Sequence, residues 1–347
     1  MPAKTIPVDQ AVGMVLPHDI TEIRQAGADS GAFKGPAFKK GHIIRPEDVE
    51  HLRRLGKERI YILTLDDNEI HENEAAQLMA EAMAGEGVLL SGRPTEGKIS
   101  LVAAHDGLLK VNTEALYRFN LLGEVMCATL HDNTPVSKGE QVAATRLIPL
   151  ISERQLVEQA AAVARQAGGL LEVKKLREAR AGLVITGSEV FYGRIKDSFE
   201  PVLREKLAKL GSRVVKVAFA PDDAELIAAE ITACLQQGAD LIITSGGMSV
   251  DPDDVTRAGI IKAGATEVCY GTPVLPGAMF LTGRIGQVPV LGLPACGMFH
   301  RITVFDLILP RVLCGETITR EDLARMGHGG LCRNCKKCQY PVCCFGK

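Results

Sequence analysis

From Ala181 onward, short apolar runs alternate with amphipathic stretches of helical length, and this rhythm leaves few folds open. "GLVITG", "RVVKVAFA", "DLIITSGG" and "VPVLGLP" read as strands, with a further strand near "TEVCYGTPVL". "SFEPVLREKLAKLG", "DDAELIAAEITACLQQG", "DVTRAGIIKAG" and "FHRITVFDLILPRVL" read as helices. In the first of these, Leu203, Leu207 and Leu210 share one face and Gly211 supplies a stop. The second opens on acids, which suit the positive end of a helix dipole. Strands joined through helices must run mostly parallel, with helices covering both faces of the sheet. The predicted fold class is therefore α/β: a three-layer, doubly wound, mostly parallel sheet. Ligands of such sheets bind beyond the carboxyl ends of the strands.

The chain has 347 residues, more than the roughly 250–300 that one core usually serves. Residues 1–75 read as an α+β module. Its helix starts at Pro46 and is closed by Gly56. Residues 76–150 read as a small β-rich module with turns at Asp106-Gly107 and Lys138-Gly139. A polar, Ala-rich helix over 152–179 makes residues 151–180 a helical connector. The α/β domain then spans 181–326, and a Cys-rich tail spans 327–347. A net charge of −2 projects no field toward nucleic acid, and the absence of Trp removes a base-stacking surface. No run of about 18 apolar residues offers a membrane span. The N-terminus lacks the apolar core of a signal peptide, so the expected compartment is the cytoplasm.

Chemistry-bearing residues gather at two strand ends. The first carries Thr186, Gly187 and Glu189, followed by Asp197 and Ser198. The second carries Ser245, Gly246, Gly247 and Ser249, followed by Asp251, Asp253 and Asp254. Consecutive glycine amides form an anion nest, and the two serines add hydroxyl donors, so a phosphate fits. Carboxylates beside a phosphate repel it unless a hard cation lies between them, and Mg²⁺ bridges carboxylates and phosphates in this way. The plainer alternative is a turn whose Asp253 and Asp254 cap the next helix.

These residues resemble the molybdopterin-binding family of molybdopterin molybdotransferases and the related domain of gephyrin. "DLIITSGGMSVDPDDVT" keeps Ser245, Gly246, Gly247, Ser249, Val250 and Asp254 of the pattern S-G-G-V-S-V-G-x-x-D, with Asp251 in place of Gly. Thr186, Gly187 and Glu189 echo T-G-D-E-L, with Ser188 for Asp. Asp197 and Ser198 echo D-S/T-N, with Phe199 for Asn. Pro276 and Gly277 keep half of P-G-K-P, where Ala278 replaces Lys. Leu293 and Pro294 keep the start of L-P-G-N-P, where Ala295 and Cys296 replace Gly-Asn. The likeness covers about residues 180–315, and residues 1–65 loosely resemble the family's N-terminal region.

The resemblance implies binding of molybdopterin, or its adenylylated or molybdenum form, and a place in molybdenum cofactor biosynthesis. Ser245, Gly246, Gly247 and Ser249 would then hold the ligand's phosphate side, with Thr186, Gly187, Glu189, Ser198, Pro276, Gly277 and Pro294 completing the cofactor site. Asp197 and Asp254 would organise Mg²⁺ and pyrophosphate cleavage during molybdate insertion, with Asp254 as a metal ligand. Two classes stay open: a transferase, which the two aspartates favour, and a non-catalytic carrier or sensor, which Ala278 favours. Implied partners are the pterin itself, a molybdoenzyme or another cofactor-biosynthesis protein, and further copies of the chain as a homo-oligomer.

The tail "HGGLCRNCKKCQYPVCCFGK" is a separate signal. Cys332, Cys335 and Cys338 have C-x2-C-x2-C spacing, and Cys343 or Cys344 supplies a fourth thiolate. This is close to a bacterial iron–sulfur pattern, while four thiolates also suit zinc and a solvated tail with incidental thiols is the plain alternative. A reducing cytosol disfavours disulfides. The scattered Cys127, Cys234, Cys269, Cys296 and Cys314 read as small buried hydrophobes.

Overall fold

A computed structural model describes residues 5–24, 33–61, 66–248 and 255–347. The chain divides into two compact units. One comprises residues 1–103, 112–130 and 139–172; the other comprises 104–111, 131–138 and 173–347.

In the first unit, Val8, Leu16, Ile20, Phe38, Ile44, Leu52 and Ile60 form a small core beneath the helix Asp48–Arg54. A four-stranded antiparallel sheet follows, in the order Val88–Thr95, Lys98–Ala103, Gln141–Leu147, Val125–Thr129. The helix Glu72–Met83 begins at His71, whose buried ring caps it by accepting from Asn73 N at 3.2 Å. The expected helix over 152–179 is shorter, Arg154–Gln166. Gly168 and Gly169 then take positive φ, and the chain re-emerges as the strand Leu171–Lys174.

The second unit contains the six-stranded sheet. Its order runs Arg213–Ala220, Arg180–Thr186, Leu241–Ser245, Val288–Leu293, Leu281–Ile285, Thr266–Tyr270. The first four strands pair in parallel and the last two join antiparallel. Because strand side chains alternate between faces, the sheet has two cores. Leu183, Ile185, Ile243 and Leu291 pack with Leu203 and Leu207 of the helix Phe199–Lys209 and with Phe305 and Ile308 of the helix Val304–Leu313. Val184, Ile242 and Val290 pack with Ile227 and Ile231 of the helix Ala224–Gln236 and with Ile260 of the helix Thr256–Lys262. This is the three-layer α/β fold that the alternation predicts. The strand Leu281–Ile285 is an addition to that expectation. It turns through Gly286-Gln287 and pairs back on Val288–Leu293, Ile285 against Val288.

From the central strand Arg180–Thr186 the chain crosses first to one side of the sheet and then to the other. A crevice opens at such a reversal, beyond the strand ends. Among the described residues, no helix is long and apolar enough to cross a membrane.

Candidate functional site

A cleft of about 830 Å³ lies at that reversal. Its lining includes Thr186, Gly187, Glu189, Asp197, Ser198, Gly246, Gly247, Pro276, Gly277 and Pro294. Residues expected from separate motifs are thus brought to one surface. Ser245 is fully buried and is not part of that surface; its hydroxyl has no partner among the described residues. Ser249 and Asp254 lie outside the described residues, so the expected second aspartate has no described position.

The two glycines have a structural reason before any ligand arrives. Gly246 has φ +85°, and a Cβ there would sit 2.3 Å from the carbonyl oxygen of Thr186. Gly247 has φ +54°, and its Cβ would sit 2.3 Å from the hydroxyl of Thr256. Thr186 ties the two strand ends together. Its hydroxyl donates to Ser245 O at 2.9 Å and lies 2.7 Å from Thr256 Oγ1. The close neighbour that these glycines admit is therefore the protein itself. Gly277 behaves alike: with φ +127°, its Cβ would meet Val304 Cγ1 at 2.4 Å.

Asp197 also has local work. Its two carboxylate oxygens accept from Phe199 N at 2.9 Å and Glu200 N at 2.8 Å, capping the helix Phe199–Lys209. The helix N-terminus that faces the cleft thus already holds a carboxylate of its own chain. Each carboxylate oxygen keeps a second lone pair for a cation.

Sequence reasoning missed Asp222 and Lys196, and it read Cys296 as a small buried hydrophobe, whereas Cys296 is only partly buried. Asp222 Oδ2 accepts from Ser188 N at 2.8 Å, and Ser188 Oγ accepts from Asp222 N at 3.2 Å. Asp222 stands two residues after the strand Arg213–Ala220, at the cleft edge. Its neighbour Asp223 is the one that caps the following helix. Cys296 lines the cleft, and burial raises its thiol pKa, so it stays protonated at neutral pH. Cys127 and Cys234 fit the expectation of small buried hydrophobes; burial pushes their thiols up to about 12 and about 11.

Among the described lining residues, Glu189, Asp197 and Asp222 are offset by a single ammonium, Lys196, for a formal charge of −2. An anionic ligand here needs a cation to offset that charge.

A second cleft of about 280 Å³ is lined by Cys332, Cys335, Cys338, Cys343 and Cys344 together with Phe299, His300, Arg301 and Arg333. All five tail cysteines therefore border one hollow. They are not gathered about a point: among the described residues, no three His, Cys, Asp or Glu are placed to hold one metal ion.

Residues 182–313 match the family described as the probable molybdopterin binding domain, and residues 5–64 match a domain of unknown function (DUF8806). The chain is 32% identical over 152 residues to a molybdopterin molybdenumtransferase of Haemophilus influenzae, covering 42% of this chain and 37% of that protein. It is 35% identical over 94 residues to a CinA-like protein of a Mycobacterium species, covering 27% of this chain and 22% of that protein. The chain thus spans well under half the length of these curated relatives. Among solved structures, the molybdopterin biosynthesis MoeA protein of Pyrococcus horikosii aligns with TM-score 0.34 and 18% identity, over 71% of this chain and 80% of that one. The Mog protein of Mycobacterium ulcerans aligns with TM-score 0.34 and 21% identity, over 39% and 97%. The match falls on the strands and helices that frame the cleft, so residues 182–313 form the part of the chain that matches the probable molybdopterin binding domain family.

Proposed function

We propose that the protein binds molybdopterin, or its adenylylated or molybdenum form, in the 830 Å³ cleft and acts in cytoplasmic molybdenum cofactor biosynthesis. One observation carries this reading: residues from five separated motifs line a single cleft at the carboxyl ends of the parallel strands. In it, the Gly246-Gly247 turn and Ser198 take the phosphate side. Pro276, Gly277 and Pro294 line the same cleft. Mg²⁺ offsets the carboxylates of Glu189, Asp197 and Asp222, and the family pattern adds Asp254, outside the described residues, as a ligand. Anaerobic titration with molybdopterin, followed by pterin fluorescence, tests the reading. Saturable binding that strengthens with Mg²⁺ is expected, and no binding with or without Mg²⁺ removes it.

Whether the bound pterin is processed turns on Ala278, which lines the cleft where the family pattern has Lys. With Lys196 the only described cation on the lining, an incoming molybdate finds little positive charge. This favours a carrier over a transferase. Incubation with adenylylated molybdopterin, Mg²⁺ and molybdate separates the two, because only a transferase releases AMP. The five tail thiols complete the reading as a soft-metal site, iron–sulfur or zinc. We place a molybdoenzyme or another biosynthesis protein, and further copies of this chain, as its partners.

A further inference from the structure

We propose that Cys332, Cys335, Cys338 and Cys343 hold a four-iron, four-sulfide cluster in the cleft beside Phe299, wall to wall with the pterin cleft. The proposal deepens the soft-metal reading of the tail and rests on it.

The ligand loop is already shaped. Asn334, between Cys332 and Cys335, takes φ +50°, a left-handed turn. Its amide donates to Cys332 Sγ at 3.5 Å, and amide bonds to sulfur are a means by which proteins tune such clusters. Both ends of the loop are pinned. Cys332 N donates to Leu275 O at 2.8 Å, and Gly346 N donates to Gly329 O at 3.0 Å. Phe345 is buried in the main core beneath it, and Tyr340 and Cys343 pack against the same core. Among the two candidates for the fourth ligand, Cys343 faces this core while Cys344 is exposed.

Size and spacing separate the two metals. A tetrahedral zinc with Zn–S of about 2.3 Å gathers its four sulfurs within about 4 Å of one another. Here the five cysteines line a hollow of about 280 Å³, and among the described residues no three are placed to hold a single ion. A four-iron cube occupies such a hollow itself and holds its thiolates apart. The spacing agrees, because three cysteines at every third position are the cluster pattern, whereas zinc sites pair two separate Cys-x2-Cys turns. Charge agrees with either metal. Four thiolates around a dicationic core leave a net −2, and Arg301 and Arg333 line the hollow. Transfer of a preassembled cluster from a small-thiolate complex breaks four iron–thiolate bonds and forms four iron–cysteine bonds, the four cysteine protons leaving on the departing thiols, with no change in electron count.

The two clefts touch. Phe299 lines both, and Leu275, in the wall of the pterin cleft, accepts from the first ligand's amide.

The full chain, purified anaerobically and reconstituted with iron and sulfide, tests this. We expect brown protein with about four irons and four acid-labile sulfides per chain, and an electron paramagnetic signal after dithionite reduction. Cys335→Ser and Cys338→Ser should lose the colour while keeping the circular dichroism of the folded chain; Cys344→Ser should keep both. Stoichiometric zinc without sulfide overturns the cluster but keeps the soft-metal reading. A chain that takes up neither metal removes both. Retention of iron in Cys343→Ser with loss in Cys344→Ser overturns the fourth ligand.

Discussion

At the scale of single residues, Gly246 shows how a motif position is set by two demands at once. Gly193 has φ +70° and open space where a Cβ would stand, whereas Gly246 has φ +85° and faces the Thr186 carbonyl. Gly193→Ala therefore pays only for a left-handed backbone, about 1 kcal/mol. Gly246→Ala adds a collision with backbone and should lose about 3 kcal/mol or more. Urea midpoints of the two variants measure the difference; equal midpoints would show that the strand ends can part freely. A sequence reveals that a Cβ is excluded at such a position but not what excludes it. The glycine pair was legible as a site of close approach, and its neighbours, Thr186 and Thr256, were not. For the same reason Asp222 stayed hidden, since its partner Ser188 lies 34 residues away.

At the scale of elements, boundaries written in local chemistry were legible. Asp223 caps its helix through Glu225 N and Leu226 N, and Gly211 ends the helix before it. The strand Leu281–Ile285 was not legible, because its pairing with Val288–Leu293 competes with the helix-strand rhythm around it. The helix Arg320–Arg325 offers a test of capping. Thr319 and Asp322 form a reciprocal box at its start. Burial alone would raise the Asp322 carboxyl, but hydrogen bonds from Thr319 and Arg311 outweigh burial and hold it at about 2, below the ordinary 3.8. A depressed folded pKa stabilises above the unfolded value and fades as protons return. Stability should therefore fall as pH drops from about 4 to about 2. Asp322→Asn should flatten that dependence, and Thr319→Ala should cost about 1 kcal/mol at neutral pH. Urea unfolding across this pH range reads both.

At the scale of the whole molecule, the second compact unit is not one stretch of chain. Residues 104–111 and 131–138 belong to it. Lys110 Nζ reaches Glu316 Oε1 at 2.9 Å, and Lys347 Nζ donates to Thr134 Oγ1 at 2.7 Å. A fragment beginning at residue 173 forfeits both and should melt below a fragment beginning at 104; thermal scans of the two decide, and they test the boundary proposed at 180. The alternation of strands and helices was enough to foresee the sheet, but such long-range insertions leave no local mark. The surplus of carboxylates on the pterin cleft has one more consequence. Most proteins that grip phosphoesters lose affinity as salt is added, because salt weakens attraction. On the proposed binding mode the cleft repels its ligand without a divalent ion, so added potassium chloride should tighten binding, and adding magnesium should invert the slope.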